Sequence, residues 1–178
     1  MKKFELTSET KINIFGKKLF RIKALISFGD VKAGETGGWV EKEENVNQSG
    51  NAWVYGDAMV SGNAMVSGNA KVYGDAWVFG NAWVSGNAKV YGDAMVSGDA
   101  KVSGDADYAT IHGFGTQFRT TTFFRCKDKK VRVACGCFFG TIPEFREQVK
   151  DTRKGKIAEE YLVISDLMEK HFEVKSNE

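Results

Sequence analysis

A chain of 178 residues with 42% hydrophobic and 27% charged side chains fits one globular or elongated domain and excludes a disordered segment. Twenty glycines beside one proline exclude collagen and Pro-rich linkers, and point to regular turns. A formal charge of +2 makes no general case for nucleic-acid binding, and two histidines in all starve several enzyme classes of their usual parts.

In chain order, the first predicted element is a β-hairpin. Lys11-Ile12-Asn13-Ile14 and the stretch 19–25 alternate in polarity, and Phe15-Gly16-Lys17-Lys18 separates them. Val40 and Val46 stand six apart, so an irregular first coil is expected to begin near Gly38. From Gly50 the chain then reads in sixes, GNAWVY, GDAMVS, GNAMVS and onward, with valine at 54, 60, 66, 72, 78, 84, 90, 96 and 102. Alanine precedes each valine by two, so both point to one side of a short strand, and Gly-Asn or Gly-Asp turns the chain. The hexads group into eighteens, marked by Tyr55, Tyr73 and Tyr91 and by Asp57, Asp75 and Asp93. Three hexads per turn make a triangular prism, a parallel β-helix whose coils stack ~4.8 Å apart.

After Gly104 the repeat decays. A second hairpin is predicted from 120–126 and 131–135 around Lys127-Asp128-Lys129-Lys130. Thr141-Ile142-Pro143-Glu144 is a capping box with proline in the first turn, opening a helix whose inner face is Ile142, Phe145 and Val149. Gly155 interrupts it, and a second helix at about 156–172 places Ile157, Tyr161, Ile164, Met168 and Phe172 on one face. The helical pair is expected against the last coil or against a neighbouring subunit. The expected division is an N-terminal β-hairpin cap at 1–37, the β-helix at 38–116, and a hairpin with two helices at 117–178.

The pattern Val-x-Gly-Asn/Asp-Ala-x resembles the hexapeptide repeat of left-handed β-helix proteins, among them acyltransferases and γ-class carbonic anhydrases. The left hand is implied by that resemblance, since a period carries no hand. Phe28-Gly29-Asp30-Val31-Lys32-Ala33-Gly34 and Gly37-Gly38-Trp39-Val40-Glu41 before the repeats, with Cys135-Gly136-Cys137-Phe138 and Gly140-Thr141 after them, resemble small hexapeptide-repeat proteins of phages and prophages. That likeness implies a phage setting and, through it, an anti-defence role against a host factor. Hexapeptide proteins of this shape are typically trimers.

Outward positions supply the candidate sites. Met59, Met65, Trp77, Phe79, Trp83 and Met95 fall on two adjacent faces and are the expected oligomer interface. Tyr55, Tyr73 and Tyr91 with Lys71 and Lys89 offer flat rings and positive charge to an anionic or nucleotide ligand or a host protein, although stacked side chains also simply stabilise neighbouring strands. Arg119, Arg125, Lys127, Lys129, Lys130 and Arg132 form a basic hairpin, which suits either an acidic partner (nucleic acid is the less favoured) or a protected strand edge. Cys126, Cys135 and Cys137 lack a recognised zinc spacing and read as free thiols, and the Asp57-Asp75-Asp93 column reads as solvated turns rather than a cation site.

A γ-class carbonic anhydrase site needs three zinc-binding histidines, one more than this chain has. An acyltransferase reading leaves His112 as the one base, with Asp105 or Asp107 to orient it. The expected function is therefore a non-enzymatic binder of a host factor with no cofactor, and CoA-dependent acyl transfer is the alternative. No apolar run approaches the ~20 residues that cross a bilayer, and the start lacks a signal-peptide core, so a cytoplasmic protein is expected.

Overall fold

Alanine and valine at every hexad decide the architecture. From Ala52 to Val102 each of these side chains is at most 1% exposed, giving a column of small apolar groups. A computed structural model describes residues 2–173 of the protein. Two-residue strands wind the column: β4 Trp53–Val54, β5 Met59–Val60, β6 Met65–Val66, β7 Lys71–Val72, β8 Trp77–Val78, β9 Trp83–Val84, β10 Lys89–Val90, β11 Met95–Val96 and β12 Lys101–Val102. They pair in parallel at eighteen-residue intervals, β4-β7-β10 on the first face, β5-β8-β11 on the second and β6-β9-β12 on the third. The result is a β-solenoid of about 4 turns.

Corners follow from glycine. Gly50 to Gly98 sit at φ between 58 and 72, where L side chains are strained. A Cβ on Gly68 would also lie 3.1 Å from the backbone nitrogen of Gly86 in the next coil. The residue after each glycine adds a ladder: Asn51 donates to Asn69 and Asn69 to Asn87, both at 3.0 Å. At another corner Asn63 donates to Asn81 and Asn81 to Asp99, at 3.2 and 3.3 Å.

Ahead of the repeats lie β1 Phe4–Ile12, β2 Lys18–Ala24 and β3 Thr36–Val40. β3 pairs in parallel with β5 and belongs to the first coil, and Val46 bridges Val66 to complete it. The predicted hairpin is present, with β1 longer than its alternation suggested. It continues the second face, because β2 pairs antiparallel with β3 and β1 with β2. Asn13 folds the hairpin turn, its Oδ1 accepting the N–H groups of Phe15 and Lys17 at 3.0 and 2.9 Å. The tip reaches back along the prism. Its Phe15 ring lies 5.8 Å from Trp77 and 5.3 Å from Phe79. Phe4 and Phe28 close edge-on over Trp53, which is fully buried although it points out of the coil.

At the other end the parallel ladder stops at β12. The Asp107 carboxylate takes the N–H groups of Ser103 and Gly104 at 2.9 and 3.1 Å, and the chain turns away. Residues 108–114, assigned to the solenoid by the repeat frame, instead form β13 Tyr108–Phe114 in an antiparallel sheet with β14 Arg119–Arg125, β15 Val131–Cys135 and β16 Phe138–Thr141. β14 and β15 are the predicted hairpin; β13 and β16 flank it unforeseen. Strand alternation gives this sheet two masters. Phe124 and Ala134 join the solenoid core, whereas Phe123 and Val133 join the core under α1 Ile142–Thr152 and α2 Gly155–Glu173. The helices thus rest on the sheet, not on the last coil. Thr141 caps α1 with Glu144 as predicted, and Phe145, Val149, Tyr161, Ile164, Met168 and Phe172 are buried.

Candidate functional site

On the first face Tyr55 and Tyr73 stack at 4.6 Å with rings 11° from parallel. Burial pushes the Tyr55 phenol up to about 12. Lys71 stands beside them, yet its ammonium is bound by the Asp30 carboxylate from the loop before β3. That contact holds Asp30 below the usual carboxylate range. Lys71 is therefore committed to the fold. What the first face leaves to solvent is Lys89 and Tyr91, with Tyr91 57% exposed and edge-on to Tyr108 at 6.0 Å.

The aspartate corner is flanked by cations of this chain. Asp57 lies 3.5 Å from Arg21 and accepts from Trp39 Nε1 at 3.3 Å, and Lys11 lies over the Trp39 ring. Asp93, lowest in the column, is 4.0 Å from His112 Nδ1. His112 sits on β13, where Nδ1 shares a hydrogen bond of 3.0 Å with Thr120 Oγ1. The carboxylate beside His112 is thus Asp93, at ion-pair range, whereas Asp105 and Asp107, expected there, are engaged elsewhere. Asp105 accepts the Lys89 N–H at 2.8 Å, and Asp107 ends the last coil and faces Arg125 at 3.7 Å. The His112 side chain is 66% exposed, on a surface rather than in a cleft.

The basic hairpin is partly neutralised. Arg125 also donates to the Phe172 carbonyl and lies over the Phe172 ring, Lys127 faces Asp99 at 3.9 Å, and Arg132 pairs with Asp128 at 2.8 Å. Lys129 and Lys130 are exposed beside a cleft of about 510 Å³ between the β14–β15 turn and the helices. The three cysteines meet different surroundings. Cys126 is buried, which pushes its thiol up to about 11, Cys135 accepts from Thr121 Oγ1 at 3.1 Å, and Cys137 is exposed. Among the described residues no three His, Cys, Asp or Glu side chains are grouped to hold a metal ion.

The apolar column divides between two faces. Met59, Trp77, Phe79 and Met95 are half-buried on the second face, where the hairpin tip lies over Trp77 and Phe79. Met65 and Trp83 on the third face are 37% and 43% exposed; the C-terminal sheet meets that face at its last coil, where Ala100 bridges Cys126, and the N-terminal hairpin pairs on the second face. Trp83 Nε1 donates to Ser67 Oγ at 3.1 Å, which holds the indole along the face. Sequence reasoning missed Phe15 and Phe139, which are 54% and 49% exposed and stand at either side of a cleft on the second face. Only the loaded hairpin turn, Ile14-Phe15, signalled it.

Comparison with known proteins bears on the repeat. Residues 88–104 match the family model described as the YdcK beta solenoid repeat. A protein of Escherichia coli (strain K12) named "Uncharacterized acetyltransferase YdcK" is 37% identical over 65 residues, covering 31% of this chain and 19% of that protein. The match thus spans well under two thirds of that relative's length.

Proposed function

We propose that this chain, a hexapeptide-repeat β-solenoid, works as a non-enzymatic binding protein that assembles as a homotrimer and occludes a host factor. The observation that carries the reading is the third face. It keeps Met65 and Trp83 at the surface in one column. An apolar column left at the surface suits self-association. Lys89 and Tyr91, and the β14–β15 turn with Lys129 and Lys130, remain for the partner; Tyr91 is of a type enriched in interface hot spots, and the lysines supply charge that steers an acidic partner. A rigid coil loses little entropy on binding. The phage setting and the anti-defence role rest on the flanking motifs and on no residue chemistry.

Light scattering at micromolar concentration tests the assembly: a trimeric mass is expected, with Trp83→Glu giving a monomer. A monomeric wild-type protein sinks it. Partner capture is expected to disappear with Lys89→Glu and Tyr91→Ala together, and to survive His112→Ala.

One observation favours acyl transfer as the second reading. His112 is hydrogen-bonded to Thr120 with Asp93 at 4.0 Å, and the E. coli relative carries an acetyltransferase name. Acyl-CoA binding by calorimetry, with turnover that dies in His112→Ala, would install that reading in place of the first.

A further inference from the structure

Both flanks of the chain converge on the last coil of the second face. The hairpin tip comes from the N-terminal side and the β15–β16 turn from the C-terminal side, leaving a cleft of about 550 Å³ between them. Phe15 forms one wall, Phe138 and Phe139 the other, and Phe79 and Met95 the floor. Corner glycines keep that floor flat. A Cβ on Gly98 would come within 2.6 Å of Phe139 Cζ, so the Phe139 ring can stand there because the position has no side chain. Among the described residues no charged side chain lines the cleft; its polar side chains are Ser97, which is buried, and the Cys137 thiol at the rim.

We propose that this cleft is a binding site for a small neutral ring compound, aromatic or alicyclic, carrying at most one or two polar groups. Three features choose that class. The walls hold nothing to pair with an ion, and an ionised ligand entering them would lose its hydration without return. The volume falls in the range of small-molecule sites, roughly 300–1,000 Å³, and the site is concave. Four phenyl rings and a thioether favour edge and face contacts with a ring over an extended polar chain. The site is separate from the third face and from His112, so it stands or falls independently of the assembly and of acyl transfer.

The test uses the full chain and the neutral probe N-phenyl-1-naphthylamine, read by its fluorescence. Saturable binding at one probe per chain is expected. Phe15→Asp, which puts a carboxylate on an exposed wall, is expected to weaken it about tenfold or more. Phe118→Asp is the control, since that ring is 65% exposed and outside the cleft, and it should bind like the wild type. Bound probe should also slow maleimide labelling of Cys137 in the unmutated chain, which keeps the test open if Phe15→Asp fails to fold. Absence of saturable binding, equal loss in both variants, or unchanged Cys137 labelling each overturns the proposal. So does a naphthalenesulfonate anion binding as tightly as the neutral probe. Probe binding that disappears as the protein self-associates, at fewer than one site per chain, would give the cleft to a second copy.

Discussion

At the N-terminal end of the solenoid, backbone carbonyls meet side-chain donors; at the C-terminal end, backbone N–H groups meet side-chain acceptors. Lys3 Nζ reaches the carbonyls of Ala52 and Gly50 at 2.8 and 3.4 Å, and Asn45 Nδ2 those of Ala64 and Gly62 at 2.8 and 3.2 Å. In the coils that follow, such carbonyls receive backbone N–H groups, as Ala70 does from Trp53 at 3.1 Å. At the far end Asp105, Thr122 and Asp107 accept from Lys89, Met95, Ser103 and Gly104. The layers beyond differ too. One end is closed by a 2%-exposed lysine under the Phe28 ring, the other by a whole sheet backed by its own core. Apolar lids alone would leave these backbone groups orphaned, at about 1–3 kcal/mol each. A coil must be ended by polarity as much as by bulk.

The middle that both ends protect should be the most sensitive. Val72→Asp puts an unpaired carboxylate where the native side chain is 0% exposed and is expected to unfold the chain by circular dichroism. A variant that melts with the wild type would reverse inside and outside. Next in size is the bulk at the C-terminal end. Phe124→Ala empties a fully buried position in the solenoid core and should cost about 3–5 kcal/mol in urea unfolding.

The directional bonds come third. Asn45→Ala orphans the buried Ala64 carbonyl, the part-buried Gly62 carbonyl being open to water, and should cost about 1–3 kcal/mol. Thr122→Val removes a single acceptor from the Met95 N–H in a nearly isosteric change and is expected near the bottom of that range. A larger loss from Thr122→Val than from Asn45→Ala would say that the C-terminal sheet does not shield its end.

A last comparison separates the ends by pH. Burial pulls the Lys3 ammonium down to about 8 from its ordinary 10.5. Between these values the unfolded chain holds a proton that the folded chain has given up, so this lysine makes stability rise with pH across that window. The stability of the wild type relative to Lys3→Met should therefore grow from pH 8 towards 10.5 and stay level below it. A difference that is flat across the window would show that the two carbonyls keep the ammonium charged.

The coil and helical core were legible because each rests on a period. Valine every six residues needs no partner elsewhere to declare an inside, and Phe145, Val149, Tyr161 and Ile164 recur at helical spacing. What stayed hidden depends on contacts far apart in sequence. Asp30 claims Lys71 across 41 positions, and Phe4 and Phe28 cover a Trp53 that its hexad points outward. β13 was hidden by His112-Gly113 breaking its alternation, and β16 by its four-residue length. Asp93 was grouped with the other turn aspartates, and only the path of β13 brings His112 to it.

The hairpin also turns the solenoid into a ruler. Its arms have a fixed reach from β3 to Phe15, whereas the β15–β16 turn moves with the number of coils beneath it. Each eighteen-residue coil inserted or removed would displace that turn by ~4.8 Å along the axis. Phe15 and Phe139 now flank the same cleft; one coil more would part them by a strand's width, and one fewer would drive them together. Repeat arrays ordinarily lengthen and shorten freely, because every unit meets only its neighbours. Here a strut running outside the array would register any change in the count.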